Sequence, residues 1–155
     1  MNAEGGRWLW QVEGTPALLL TLIRYAGGLG LLISLLQIDS LRFIGWRQFV
    51  AFLKGQPLPL AEEPFVMWGV YALVRHPLYF FSLIFLWVTP SMSAASFGFA
   101  LGATLYFALG SLLEERKLLA VYGETYRAYR QRVAWLVPFV KLPTLLRPLQ
   151  RDGGY

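Results

Sequence analysis

Gly69-Val-Tyr-Ala-Leu-Val-Arg-His-Pro-Leu-Tyr79 is the stretch on which the reading of this chain turns. It sets Arg75 and His76, the only histidine in 155 residues, inside the apolar run Phe65 to Val88, which would otherwise read as membrane-embedded. An ionised side chain costs ~2.5–3.5 kcal/mol at the centre of a membrane helix, so a cationic pair there points to function. Pro77 follows at once and disfavours helical geometry at His76. Backbone broken at membrane depth is tolerated where it lines a cavity or is buried in protein.

The surrounding composition is that of a membrane protein. Hydrophobic residues make up 56% of the chain, aromatics 16% and charged residues 15%, and the mean hydropathy is +0.48. Soluble domains carry ~25% charged residues. The length suits a single domain, residues 1–155. The absence of cysteine excludes disulfides, a thiolate nucleophile and Cys-based metal sites. A lone histidine argues against a His-rich metal centre, so no metal is expected. The net charge of +5 is compatible with nucleic acid, but its distribution argues instead for a cytoplasmic membrane face and against a nucleic-acid partner.

Ala17 to Ile38 is the first expected span, ~33 Å as a helix. Its apolar run is too long for a signal peptide and no small-residue cleavage site follows. Arg24 within it reads either as snorkelling to the interface or as a partner for a carboxylate or ligand in the bundle. Gly27, Gly28 and Gly30 lack a preceding strand and a third fitting glycine for a dinucleotide loop, so they read as a close packing surface. Asp39 to Leu60 is more polar. Phe43, Trp46, Val50 and Leu53 recur there at helical spacing, which suggests a short interfacial helix ended by Gly55-Gln56-Pro57, with a re-entrant segment as the alternative.

Leu78–Thr89 and Ala94–Leu113 read as a helical hairpin about the turn Pro90–Ser93. The first arm must borrow length from Phe65–Val74. Gly98 and Gly102 form a Gly-x-x-x-Gly face expected to pack tightly on a second helix. Straight, similarly tilted arms would set His76 ~10 Å deeper than Glu114, gripping opposite ends of one elongated ligand. Beyond Glu114-Glu115-Arg116-Lys117, residues Leu118, Tyr122, Tyr126, Tyr129 and Val133 recur every three or four positions with basic residues between them. This is a basic amphipathic helix, kinked near Gly123.

Charge orients the chain. The turn at 90–93 holds no Lys or Arg, residues 38–77 hold four and residues 114–155 hold eight. The turn and the N-terminal segment are therefore expected outside, with the interlude and the C-terminal tail in the cytoplasm. The expected fold is all-α and integral to the membrane, with about three transmembrane helices, a C-terminal helical hairpin and a basic amphipathic cytoplasmic helix.

These residues carry a family resemblance. Gly69, Tyr71, Arg75, His76, Pro77 and Tyr79, then Glu114, Glu115, Leu118, Tyr122, Gly123, Tyr126 and Tyr129, resemble in order and spacing the motifs of the integral-membrane methyltransferases. Those enzymes include isoprenylcysteine carboxyl methyltransferase and the bacterial phospholipid N-methyltransferases. The resemblance covers about residues 63–138. Ile38–Gln48, Trp87–Met92 and Leu112–Arg116 are similar to the branch holding methanethiol S-methyltransferase and the NnrU-like proteins, which usually has more chain before this point.

The resemblance implies S-adenosylmethionine as cofactor, under a roof formed by the C-terminal segment. It implies contacts from Tyr71, His76, Pro77, Leu78 and Tyr79, with Glu114 binding from the other arm. Phe65, Val66, Glu115 and Tyr126 are further candidates, Glu115 ranking below Glu114. Arg75 and His76 can pair with the cofactor's carboxylate. Aromatic faces of Tyr71, Tyr79 or Tyr126 suit the sulfonium or adenine. No residue is an obvious general base, so none is assigned a catalytic role. Gly110 stands where the isoprenylcysteine enzymes place a substrate-contacting arginine, which argues against a prenylated-cysteine carboxylate. The expected acceptor is a small thiol or lipophile, and the expected setting is a bacterial inner membrane, in contact with its lipid, with the cofactor site cytoplasmic. Two other readings compete: a non-enzymatic small membrane protein, and a relative of the sterol reductases using a nicotinamide cofactor.

Overall fold

The computed structural model describes residues 7–38, 45–57 and 65–138. Strand β1 (Trp8–Gln11) leads into helix α1 (Gly14–Leu36), followed by α2 (Trp46–Leu53), a 3-10 turn at Gly69–Ala72, α3 (Pro77–Trp87), strand β2 (Ser91–Ser93) and α4 (Ala94–Arg132). Helices α1 and α4 are each long and apolar enough to cross a membrane. Their outward faces show bare leucines and aromatics, among them Leu18, Leu22, Leu29, Leu105 and Tyr106. A face of that kind is at home in lipid rather than water. Residues 39–44 and 58–64, with Phe43 of the expected interlude helix, lie outside the described residues; the described part of the interlude holds the short amphipathic helix α2, stopped at Lys54-Gly55, with Gly55 at φ +65°.

Three expectations need correction. The described chain is mostly helical, as expected, but the expected turn after α3 holds a strand: β1 and β2 pair antiparallel, Trp8 with Ser93, Trp10 with Met92 and Gln11 with Ser91. Trp10 Nε1 also donates to Thr89 O at 3.1 Å, and the buried Met92 plugs the ribbon. The Pro90–Ser93 turn is thus a strand that clips the N-terminal segment to the end of α3.

Secondly, α3 has 11 residues and borrows nothing helical from the preceding segment. It rises ~16 Å, about half a hydrocarbon core. Gly69 at φ +65° reverses the chain, and a side chain there would strike Gln37, whose Oε1 accepts from Val70 N. His76 then stands at the N-cap of α3 with non-helical backbone (φ −123°, ψ 65°), and Pro77 follows in the first turn, where the missing N–H costs nothing.

Thirdly, Gly98 and Gly102 meet nothing: a Cβ at either would find open space among the described residues. The close packing falls to α1 instead. A Cβ on Gly27 would come 2.7 Å from Ile84 Cγ2, and one on Gly30 would come 2.4 Å from the Phe81 ring. These glycines let α1 and α3 approach until ring meets backbone.

Contacts between α3 and α4 run in opposite sequence order. Trp87 Nε1 donates to Thr104 Oγ1 at 2.9 Å, Tyr79 stacks on Phe107 at 5.0 Å, and His76 reaches Glu114 and Glu115. Trp87 lies three residues before Pro90 and Thr104 fourteen after it, so the first turns of α4 overshoot α3. That offset brings His76 level with Glu114 and overturns the expected ~10 Å difference in depth.

Candidate functional site

Arg75 and His76 are placed by backbone before any side chain acts. Val74 forms a parallel bridge to Ala134. Arg75 N donates to Ala134 O at 2.9 Å, so the segment after α4 is laid along the broken strand before α3. The fold-back depends on α4 bending at Gly123, whose φ of +52° and ψ of −122° suit glycine. Tyr129, beyond the bend, donates its hydroxyl to Tyr71 O.

Glu115 is the hub. It is 3% exposed. Arg75 Nη1 lies 2.8 Å from both of its carboxylate oxygens, Tyr126 donates to Oε1 at 2.9 Å, His76 Nε2 stands 3.3 Å from Oε1, and Arg130 Nε is 3.6 Å from Oε2. Both oxygens of this carboxylate are engaged, Oε1 by three partners and Oε2 by two. Glu114, its neighbour, is half-exposed and 3.4 Å from His76 Nδ1. Both imidazole nitrogens therefore face carboxylates, which only the imidazolium serves as a donor on both sides. Burial alone would depress the His76 pKa, but the hydrogen bonds the ring donates to Glu114 and Glu115, with their charge, outweigh it and raise the value above 6.5. Arg75 is shifted down by burial, against the pull of Glu115. The Tyr71 phenol is pushed up by burial and by the Glu114 charge.

The other expected residues separate into two groups. His76 stacks on Tyr79 at 5.7 Å and 14°, and Pro77 is buried beneath them. Phe65 lies among Tyr122, Tyr126 and Tyr129, with ring centroids 5.0, 5.3 and 5.0 Å away. Phe65 and Tyr126 thus join the protein's own packing, and Val66 and Leu78 are half-buried. Arg130 and Trp135 were not among the expected site residues. Arg130 sits one helical turn past Tyr126, so the spacing that marks Tyr126 and Tyr129 as inward also brings it near Glu115. Trp135 lies past the helix end, where no periodicity applies.

Two buried donors lack acceptors among the described residues: Arg75 Nε and Trp135 Nε1. Arg75 N also approaches Trp135 O at 3.2 Å, so the two residues meet along the backbone. An unsatisfied buried donor costs about 1–3 kcal/mol. A cationic locality with spare donors suits a carboxylate, while the half-exposed Glu114 suits an ammonium or hydroxyl donor. Among the described residues no group of three or more His, Asp or Glu could hold a metal ion.

Such a helical membrane protein, with a buried Arg–His–Glu cluster at a broken helix, is matched by known proteins. The chain is 39% identical over 130 residues to methanethiol S-methyltransferase 2 of Bradyrhizobium diazoefficiens, covering 84% of this chain and 49% of that one. It is 34% identical over 135 residues to methanethiol S-methyltransferase of Pseudomonas deceptionensis, covering 86% and 50%. Nurim of Xenopus laevis is 30% identical over 109 residues, covering 67% and 38%. No family model matches the chain, and no solved structure matches it. These similarities support the integral-membrane methyltransferase family, that of the isoprenylcysteine carboxyl methyltransferase-like proteins. Within it, the similarity lies with the methanethiol S-methyltransferases, and the chain spans about half the length of the curated relatives it matches.

Proposed function

We propose that the chain transfers a methyl group from S-adenosylmethionine to a small thiol, in the manner that the names of its relatives state for methanethiol. The observation that carries this reading is the pairing of unsatisfied buried donors on Arg75 and Trp135 with the half-exposed carboxylate of Glu114. Together they suit the two ends of an amino-acid tail. In this reading Arg75 Nε and Trp135 Nε1 take the carboxylate, and Glu114 takes the amino group or ribose hydroxyls. Glu115 keeps Arg75 and His76 charged and fixed. Tyr71, Pro77, Leu78 and Tyr79 line the approach.

S-adenosylmethionine, when bound, supplies a sulfonium-activated methyl group, so the reaction is an in-line displacement by the acceptor's sulfur. The side chains then serve to orient and to exclude water rather than to move protons. The imidazolium of His76 has no free lone pair, which fits an acceptor that ionises readily by itself. Tyr79 supports a small acceptor: its hydroxyl lies 3.7 Å from where a Gly110 Cβ would stand, so aromatic bulk fills the space beside that glycine.

We further read the chain as one membrane-embedded domain with three passes, the second made by the short α3 together with the non-helical segment before Pro77, α3 and α4 forming the hairpin, the site on the cytoplasmic side and a bacterial inner membrane as its setting. The Lys/Arg split supports that orientation. Cysteines at Ser91 and Thr125 test it, since the chain has none; labelling of Thr125→Cys from outside intact cells would reverse it.

The activity test is direct. Purified protein is titrated with S-adenosylmethionine, S-adenosylhomocysteine and NADPH, and labelled methyl transfer to methanethiol is followed in the headspace. Binding of the first two with labelled dimethyl sulfide is expected. Arg75→Ala and His76→Ala should each weaken binding roughly tenfold or more, the loss of a charge-assisted hydrogen bond. NADPH binding alone would mean a reductase, and no binding at all a non-enzymatic protein.

A further inference from the structure

At the far end of α3 lies a second cation that methyl transfer does not use. Arg24 sits on α1 about 15 Å in from Gly14. Its Nη1 donates to Thr89 Oγ1 at 3.2 Å, and its guanidinium carbon stands 4.7 Å over the Phe85 ring. Thr89 hands its own proton to Ser91 O at 2.9 Å, so it orients the guanidinium without neutralising it. Among the described residues no carboxylate forms an ion pair with Arg24. A guanidinium has five N–H donors, and one is used here. An unpaired cation part-way along an apolar span is costly and calls for a counter-charge.

A cavity of about 400 Å³ opens beside it. Arg24, Thr89, Ser91 and Ser96 line its polar side, and Leu86 and Phe99 are among its apolar walls. Ala95, in the first turn of α4, also lines it. Ala94 N donates to Arg7 O and Ser96 N to Ser93 Oγ, but Ala95 N has no acceptor among the described residues. The positive end of a 39-residue helix therefore borders the cavity that Arg24 already makes cationic, with Ala95 in its wall. Phe99 is 67% exposed, so one wall continues onto the lipid-facing surface.

We propose that this cavity is a phosphate-anion site, with Arg24 as its charged ligand and the Ala95 amide as a further donor, joined by the Ser96 hydroxyl when Ser93 Oγ donates the proton they share at 2.9 Å. Its polar floor beside a lipid-facing aromatic wall fits the phosphodiester of a membrane phospholipid, whose chains would run past Phe99. Such a ligand would tie together α1, the β1–β2 ribbon and the start of α4, at the opposite end of α3 from the methyl-transfer site.

The test uses the full chain purified in detergent. Short-chain phosphatidylglycerol, a diacylglycerol of the same chains and inorganic phosphate are titrated separately, with tryptophan fluorescence as readout. Phosphatidylglycerol is expected to bind wild type, and Arg24→Gln roughly tenfold more weakly, while diacylglycerol treats the two alike. Ala95→Pro removes the spare amide in a helical turn that tolerates proline, and should weaken binding severalfold. It stands in if Arg24→Gln does not fold. Inorganic phosphate binding as tightly as the lipid, with the same loss in the variants, would support the anion site and assign its ligand to solution. Equal binding by wild type and variants, or no advantage of phosphatidylglycerol over diacylglycerol together with no phosphate binding, would overturn the proposal.

Discussion

Helix α3 is held by two neighbours in two different ways. On the α4 side the contacts are polar or stacked: Glu115 with Arg75 and His76, Tyr79 on Phe107, Trp87 to Thr104. On the α1 side they are steric: Gly27 and Gly30 let Ile84 and Phe81 sit against the backbone. The difference suits a short helix in lipid. Apolar burial gives little drive between helices when lipid is equally apolar, so close packing and buried hydrogen bonds must do the holding. The polar side also aims the candidate site, whereas the steric side only fixes distance. Damage to the two sides should therefore look different.

Breaking the polar side should have the largest effect. Glu115→Gln leaves Arg75 and His76 buried as cations without their carboxylate, and removing one partner of a buried pair costs about 3–5 kcal/mol. A fall in Tm of roughly 10 °C is expected in detergent, with cofactor binding lost alongside. Glu114→Gln is the contrast. Its side chain is half-exposed, so stability should stay within ~0.5 kcal/mol while binding of S-adenosylmethionine weakens. Equal loss of stability in both variants would abolish the division between a structural and a ligand-facing glutamate.

Breaking the steric side should cost less. Gly30→Ala drives a methyl group into the Phe81 ring, and overpacking of this kind costs about 1–3 kcal/mol. Because α3 would shift as a body, stability should fall without a change in pH profile. Wild-type stability in Gly30→Ala would mean that α1 and α3 do not approach as closely as described.

The pH profile belongs to the polar side. The folded pKa of His76 is raised above its ordinary 6.5. Stability from its charged form is therefore fully present below about pH 6.5 and is lost as pH rises through the elevated folded value. Tm should decline over that window in wild type and decline less in His76→Gln. A wild-type Tm that rises with pH there would have the sign wrong and would mean a neutral imidazole.

What was legible in sequence follows from the same two kinds of contact. Arg75-His76-Pro77 announced a broken helix carrying charge, and Gly27, Gly28 and Gly30 announced close packing, because each rests on local chemistry. Gly123 likewise marked the bend in α4. The ribbon was not legible: four and three residues, 80 positions apart, are too short to show a period of two. Nor was the role of Glu115. Neighbours on a helix differ by ~100°, and which of two glutamates turns inward depends on how α4 is rotated against α3. The extra depth assigned to His76 failed because a symmetric hairpin was assumed where a strand intervenes. Arg24 admits two readings from sequence because its surroundings come from α3 and the ribbon rather than from its own helix.

The smallest expected effect separates glycines that pack from glycines that do not. Gly98 and Gly102 share the Gly-x-x-x-Gly spacing that commonly marks a helix interface, yet both are exposed and neither would bring a Cβ near another atom among the described residues. In the monomer, Gly→Ala at either position meets no steric resistance. It gains the helix preference of alanine, up to ~1 kcal/mol in an exposed helix interior. Tm of Gly98→Ala and Gly102→Ala should therefore be unchanged or slightly raised, against a clear fall for Gly30→Ala. A fall at either position of a size like that at Gly30 would show a partner on this face of α4. Sedimentation of wild type beside the variants would then tell whether that partner is a second copy of the chain: loss of a larger species in Gly98→Ala would assign the face to self-association, and an unchanged monomer would assign it to a segment of the same chain. If neither position responds, sequence spacing alone does not make a contact, and the packing of α3 rests on α1 and on the Glu115 cluster.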